Sequence, residues 1–307
     1  MALPYLRSRV FRFRSPLFQE RIFSKITNPT KFYSSAPARL NSGNMKILMF
    51  HGYTQNGPLF QAKTKVLEKY LKKLYPDLTL SYPTGPLRLR PEDVPGSESS
   101  GNMPDDLEAY GWWRRSNTAD PPEYAGIGDA FDLIAKLIAT EGPFDGVMGF
   151  SQGAALAAMI TSLLERPSRQ DAFKRAKETS ELAIDYPESF ESLQQPPLKF
   201  LVSYCGFRAP GERYSGFYED PTIQTPSCHV NGSLDTLVEE SRWRTLMEAC
   251  GGEGMTRLVI HPGGHFVPSG KQYLETVADF IRTSMTPANA GAVAKDEEKA
   301  EDMDMPF

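Results

Sequence analysis

Phe144-Asp145-Gly146-Val147-Met148-Gly149-Phe150-Ser151-Gln152-Gly153, running straight into Ala154-Ala155-Leu156-Ala157-Ala158-Met159-Ile160, is the stretch that decides the fold. A short apolar run ends in Gly-x-Ser-x-Gly, and an Ala-rich helical pattern begins on its far side. A serine caught between a strand and a helix in this way sits on a tight, strained bend. Its hydroxyl projects from the carboxyl edge of a sheet, over the start of the helix. The glycines have a steric reason, since side chains at 149 and 153 would collide where strand and helix pass closest. The five-residue pattern alone says little. Its placement says much more.

Outward from this turn, strand and helix signals alternate. Residues 46–50 are a short apolar run ending at His51-Gly52, which reads as a buried first strand. Val66, Leu67, Tyr70, Leu71 and Leu74 recur at helical spacing, and a second strand over 78–82 stops at Pro83. Ile127, Ala130, Phe131, Ile134, Leu137 and Ile138 outline an amphipathic helix leading to Gly142-Pro143. After the 146–149 strand come strand-like runs at 200–205, 228–231 and 258–260, with helical patterns near 238–250 and 273–281. This alternation predicts the α/β class: a central, mostly parallel sheet with helices on both faces, in one domain over 45–286.

Two stretches break the alternation. Residues 84–124 are rich in Pro, Gly, Ser and charge and contain Trp112-Trp113. Residues 165–197 form a charged insertion with a weak helical pattern at 172–182. Connections this long in a compact domain are usually functional or disordered. Both fall where a substrate-covering element is expected.

Composition narrows the function. The 307 residues are 40% hydrophobic, enough for a substantial core, and a formal net charge of −4 argues against nucleic acid as the main partner. No apolar stretch approaches the roughly 20 residues needed to span a bilayer. Cys205, Cys228 and Cys250 are odd in number and lack metal-ligand spacing, so buried free thiols in a reducing compartment are expected. No cofactor and no metal is expected. The ends differ from the middle. Residues 1–44 carry Arg7, Arg9, Arg12, Arg14, Arg21, Lys25, Lys31 and Arg39 against the single acid Glu20. That basic, serine-containing composition is that of a mitochondrial presequence, and Lys31-Phe32-Tyr33 before Ser34-Ser35 resembles a cleavage site. A plain tail, or translation from Met45, fits equally well, so both mitochondrial and cytoplasmic residence stay open. Residues 287–307 are acidic without apolar periodicity and read as a disordered tail.

Acyl transfer needs a nucleophile, a base to take its proton, an acid to orient the base and donors for the oxyanion. With Ser151 as nucleophile in an α/β-hydrolase arrangement, the chain order is Ser, then Asp or Glu, then His. His265 follows a glycine pair in His261-Pro262-Gly263-Gly264-His265-Phe266-Val267-Pro268, between the last strand and the last helix. Its imidazole can accept and return a proton near neutrality. His261, at the strand end, is the competitor and fits a structural role better. Asp235 lies in the turn after the 228–231 strand and can reach His265; its plainer role is to cap the next helix. Asp220 looks like an exposed loop residue, and Asp145 precedes the serine. Backbone N–H groups of Gln152 and of Tyr53, in the loop after the first strand, are the candidate oxyanion donors. His51 fits best as a residue that holds that loop. Trp112 and Trp113 are candidates for an acyl pocket, although paired aromatics are often simply packed.

His51-Gly52 with Gln55-Asn56-Gly57, Tyr82-Pro83, Gly111-Trp112-Trp113, residues 142–146, residues 149–155 and Gly263-Gly264-His265-Phe266-Val267-Pro268 together resemble the fungal family of serine hydrolases (FSH family). The resemblance runs in order over about residues 45–284. It implies an α/β-hydrolase fold, the triad Ser151, Asp235 and His265, and carboxylesterase or thioesterase activity on acyl substrates. The basic extension and the 165–197 insertion depart from the compact family pattern. The expected reaction is hydrolysis of a small-molecule carboxylic ester or thioester through an acyl-enzyme. An alternative is a thioesterase releasing a polyketide or acyl chain from an acyl carrier. A different class is a non-catalytic binding protein on the same fold. The presence of nucleophile, acid, base and both oxyanion segments together favours the enzyme.

Overall fold

A computed structural model describes residues 44–94, 108–116, 118–251 and 254–286. All of them lie in one compact unit, Arg39–Phe307, and the separate unit Met1–Ala38 is outside the described residues. The candidate presequence and the acidic tail after 286 therefore fall outside the description.

Six strands form the main sheet: β1 (Lys46–Phe50), β2 (Thr79–Ser81), β3 (Gly146–Phe150), β4 (Phe200–Tyr204), β5 (Ser227–Gly232) and β6 (Thr256–His261). Their order is β6-β5-β4-β3-β1-β2, and every neighbouring pair is parallel. A parallel sheet is covered on both faces, so its strands can be apolar throughout. Alternation along the strands divides the core accordingly. Leu48, Val147 and Leu201 face one cluster, with α3 (Ile127–Glu141), α4 (Gln152–Leu163) and α6 (Glu240–Glu248). Ile47, Met49, Met148, Phe200 and Val202 face the other, with α1 (Gly57–Lys63), α2 (Lys65–Leu74) and α7 (Lys271–Met285). Every residue of α4 is buried, which explains its alanine content: only small side chains let a helix lie this deep against a sheet.

Helix α1 is absent from the sequence reading, which ran a loop up to residue 57. Its signal is local: Asn56 caps it, with Oδ1 accepting from Leu59 N at 2.8 Å, and Pro58 occupies the first turn. The two irregular stretches also carry more structure than expected. In the first, Leu87–Arg88 pairs antiparallel with Tyr110–Gly111, and Arg114–Arg115 with Tyr124–Ala125. In the second, α5 (Ser168–Thr179) starts four residues before the expected pattern at 172 and packs on the 3-10 turn Glu212–Phe217. Arg166 stitches the rest of that insertion down, donating to the carbonyls of Phe190, Glu191, Leu193 and Gln195.

Candidate active site

Parallel strands send all their carboxyl ends to one edge, and ligands of open α/β sheets gather there. The loops leaving β1, β3, β4, β5 and β6 bring His51–Asn56, Ser151, Cys205, Asp235 and His265 to that edge.

Ser151 links β3 to α4 with φ 54° and ψ −118°. A non-glycine residue held there stores roughly 1–3 kcal/mol of strain. The close approach that enforces it is visible at the flanking glycines. A Cβ at Gly149 would lie 2.2 Å from the Gly153 carbonyl oxygen, and one at Gly153 would lie 2.2 Å from that of Phe50. The Ser151 N–H donates to Tyr204 O at 2.8 Å, fixing the bend to the end of β4.

Asp235 and His265 arrive on neighbouring loops in backbone contact. A Cβ on Gly232, at the end of β5, would sit 2.3 Å from the carbonyl oxygens of both Gly263 and Gly264. Across this seam His265 Nδ1 and Asp235 Oδ2 are 2.7 Å apart, with 14% and 2% of the two side chains exposed. Asp235 Oδ1 meanwhile accepts the N–H groups of Leu237 and Val238, both at 2.9 Å. The capping role and the histidine-orienting role are thus filled by different oxygens of one carboxylate. Burial pushes this carboxyl up, but the Val238 amide, the His265 ring and the Leu237 amide outweigh it and hold it below the usual carboxylate range. An ionised Asp235 makes His265 Nδ1 the donor and leaves Nε2 open to accept. The His265 ring packs 4.8 Å from that of Phe150, the residue before Ser151. Among the described residues no hydrogen bond joins Ser151 Oγ to His265; catalytic hydrogen bonds are often long in the absence of substrate.

The competitors go elsewhere. His261 is buried and its Nδ1 accepts from Gly263 N at 3.2 Å, bracing the turn ahead of His265. The Asp220 side chain is 92% exposed. Asp145 holds Lys46 N and Lys199 Nζ just before β3, at the amino end of the sheet.

The β1 loop turns at Gly52–Gln55, with Gln55 N donating to Gly52 O at 3.2 Å. Among the described residues the N–H groups of Tyr53 and Gln152 have no acceptor. His51 holds this loop: Nδ1 donates to Gly52 O at 2.8 Å, and Nε2 accepts from Gly85 N at 2.9 Å. Burial pushes its pKa down to about 4, against the Gly52 carbonyl, so the ring is neutral at pH 7.

The two tryptophans part company. Trp112 is fully buried, stacks on His51 at 4.8 Å and donates Nε1–H to His51 O at 2.8 Å. Its indole packs against His51 and braces the β1 loop. Trp113 stacks on Tyr124 at 4.7 Å and does line a cavity of about 670 Å³. Ser151 and His265 are not among that cavity's lining residues. The sequence reading missed the Gln152 side chain. Its Oε1 accepts from Trp112 N and its Nε2 donates to Trp113 O, both at 2.9 Å.

Cys205, Asp235 and His265 place one potential metal-ligand atom each within 4.8 Å of one another. Linear spacing did not reveal this group, because its members leave three different strands. A cation there would have to break the Asp235–His265 bond and deprotonate a thiol that burial and Asp235 push up to about 12. The donor set fits a metal poorly.

A family model described as Serine hydrolase (FSH1) matches residues 41–277. Family of serine hydrolases 3 of Saccharomyces cerevisiae is 34% identical, over 78% of this chain and 85% of that protein. Esterase OVCA2 of Danio rerio is 31% identical, over 78% of this chain and 96% of that one. Dihydrofolate reductase of Schizosaccharomyces pombe is 31% identical over 79% of this chain, which spans 48% of that protein's length. The crystal structure of Zea mays acyl-protein thioesterase 2 superposes with a TM-score of 0.51 at 17% identity, covering 82% of this chain and 97% of that one. At that identity the likeness is one of fold.

Proposed function

Because this chain belongs to the serine hydrolase (FSH1) family, we propose that it hydrolyses carboxylic esters or thioesters through an acyl-enzyme formed on Ser151. The observation that carries this reading is the 2.7 Å Asp235–His265 hydrogen bond, set beside a serine at φ 54°. His265 Nε2 takes the hydroxyl proton as Ser151 Oγ bonds to the acyl carbon. The Tyr53 and Gln152 N–H groups receive the oxyanion. Collapse breaks the bond to the leaving alcohol or thiol, which takes the proton from His265. Water then repeats the sequence, its proton passing through His265, and releases the acid and free Ser151. Asp235 stays ionised and balances the imidazolium.

The domain over 45–286 is sufficient for this chemistry in our reading. Residues 1–44 add an address, mitochondrial or cytoplasmic, that the destination of a fluorescent fusion reads out. A fluorophosphonate probe should label the full chain and a chain beginning at Met45 equally, and Ser151→Ala should abolish labelling while the protein stays folded. Equal labelling of the Ser151→Ala protein would remove the assignment. Whether the acyl group arrives as a small ester or on an acyl carrier is decided by comparing turnover on the two.

A further inference from the structure

The cavity of about 670 Å³ beside the site is not used by the chemistry above, and its size suits a small-molecule group. Its walls hang on the residues that flank the reacting groups. Trp113 is held through its carbonyl by the Gln152 side chain, one residue after Ser151. Arg242 donates to the carbonyl of Leu237, at 3.2 Å, in the turn that Asp235 caps. Three arginines and two glutamates line the cavity. Arg208 and Glu219 pair with each other. Arg115 and Arg242, by contrast, have no carboxylate partner among the described residues, which leaves them against Glu212 alone.

These two arginines come from different elements, are both exposed and line the same cavity. Arg115 lies directly opposite Tyr124 in its hairpin register, and Arg242 reaches in from α6 with its Cζ 4.4 Å above the Phe207 ring. Both make themselves felt at the Tyr124 phenol, where their charges oppose the upward push of burial. Trp113, Tyr124 and Phe207 add an aromatic lining.

We propose that this cavity receives an anionic group of the substrate, a carboxylate or a phosphate, between Arg115 and Arg242. This rests on the hydrolase reading above and adds a substrate class to it. Guanidinium groups bind both anions through charge-assisted, often bidentate hydrogen bonds. The anion can sit on the acyl side of the scissile bond or on the leaving group.

The test uses the full chain and two matched pairs. p-Nitrophenyl butyrate against mono-p-nitrophenyl glutarate places the charge on the acyl side. Butyryl-pantetheine against butyryl-phosphopantetheine places it on the leaving group. Wild type should favour the charged member of at least one pair by about tenfold in kcat/KM, the scale of one charge-assisted contact. Arg115→Gln/Arg242→Gln should remove that advantage, read as the charged-to-neutral ratio of kcat/KM, because Arg242 also holds Leu237 O and its loss can lower both members alike. Arg115→Gln alone should reduce the ratio and lower the neutral substrates by no more than about twofold, a scale at which no charged contact is lost. The pair that responds identifies the side. No advantage on either pair, an advantage that survives the double variant, or an equal loss on charged and neutral members would overturn the proposal; the single variants report the same contrast. A wild type inactive on all four substrates would instead overturn the hydrolase reading itself.

Discussion

The turn around Ser151 and the wall around Trp113 meet at Gln152 but are held in opposite ways. At the turn the constraints are made by backbone: Gly149 passes Gly153 four residues on, and Gly153 passes the end of β1, so that β3, α4 and β1 come within reach of one another. At the wall they are remote and made by side chains. Gln152 reaches 40 residues back to Trp112 N, and Tyr124 N donates to a tyrosine hydroxyl, that of Tyr214, 90 residues on. The difference separates reaction from recognition. Bond-making groups need geometry fixed by the chain itself, whereas a binding wall can be assembled from distant pieces and altered without touching the elbow.

The largest expected effect falls on the elbow side. His265→Ala, and Asp235→Asn through the wrong imidazole tautomer, should each lower turnover on an activated ester by about 10⁴. Because such groups act as a unit, the Asp235→Asn/His265→Ala double variant should lose little more than either single one. His261→Ala should shift stability and leave turnover nearly intact, since that ring only braces a turn. Multiplicative losses in the double variant, or an inactive His261→Ala with a fully active His265→Ala, would dismantle the triad.

Acid should act next, where His51 joins the two regions. Its Nε2 accepts from Gly85 N, so protonation there breaks the link. The folded-state pKa is lowered to about 4 from 6.5. The unfolded chain therefore binds the proton first, and the stabilisation, complete above pH 6.5, is lost as pH falls towards 4. The loss is about 1.4 kcal/mol per pH unit for this one histidine, near 3 kcal/mol in all. Urea titrations from pH 7 to 4 should show a slope shallower by that amount in His51→Asn than in wild type. Parallel slopes would mean that His51 titrates normally.

The same contrast explains what could be read from the chain. The strands and Ser151 were legible because a buried parallel strand is a short apolar run, and because Gly149, pressed against Gly153, answers a constraint within five residues of sequence. Asp235 and His265 were legible from chain order, as each follows a strand. The packing of Trp112 was not legible, because nothing local announces an indole stacked on His51; the contact that holds it lies 61 residues away. The Gln152 clamp and the meeting of Arg115 and Arg242 on one cavity left no local trace, since the partners are joined only by folding. Helix α1 was legible in principle from Asn56 and Pro58, but it is short, and its amphipathic pattern never completes two turns.

A smaller effect should follow from filling the close approach at Gly153. Gly153→Ala places a methyl against the Phe50 and His51 carbonyl oxygens, both backbone, so the strand and helix must part. Overpacking of this kind costs about 1–3 kcal/mol. It should also reduce turnover, because the Gln152 N–H moves with the helix. Gly128→Ala in α3 is the control, with nothing within 4 Å of the added carbon. It should be neutral or stabilising by up to about 1 kcal/mol. Equal behaviour of the two variants in urea would show that the approach at Gly153 is looser than described.

The smallest expected effect on the reaction lies at Gln152, and it probes the join directly. Gln152→Ala keeps the backbone N–H that we propose receives the oxyanion but removes the side chain that holds Trp112 N and Trp113 O. The buried Trp112 amide is then unpaired, at a cost of about 1–3 kcal/mol in stability. If reaction and recognition are built separately, kcat on a short neutral ester should fall by less than about tenfold, far from the 10⁴ of the triad variants. KM for substrates that reach the Trp113 wall should rise more than KM for those that do not. Measuring kcat and KM on both kinds of substrate, beside the urea midpoint, separates the outcomes. A loss of kcat on the scale of the triad variants would mean that the clamp positions the oxyanion donors, so that the wall and the elbow form one unit.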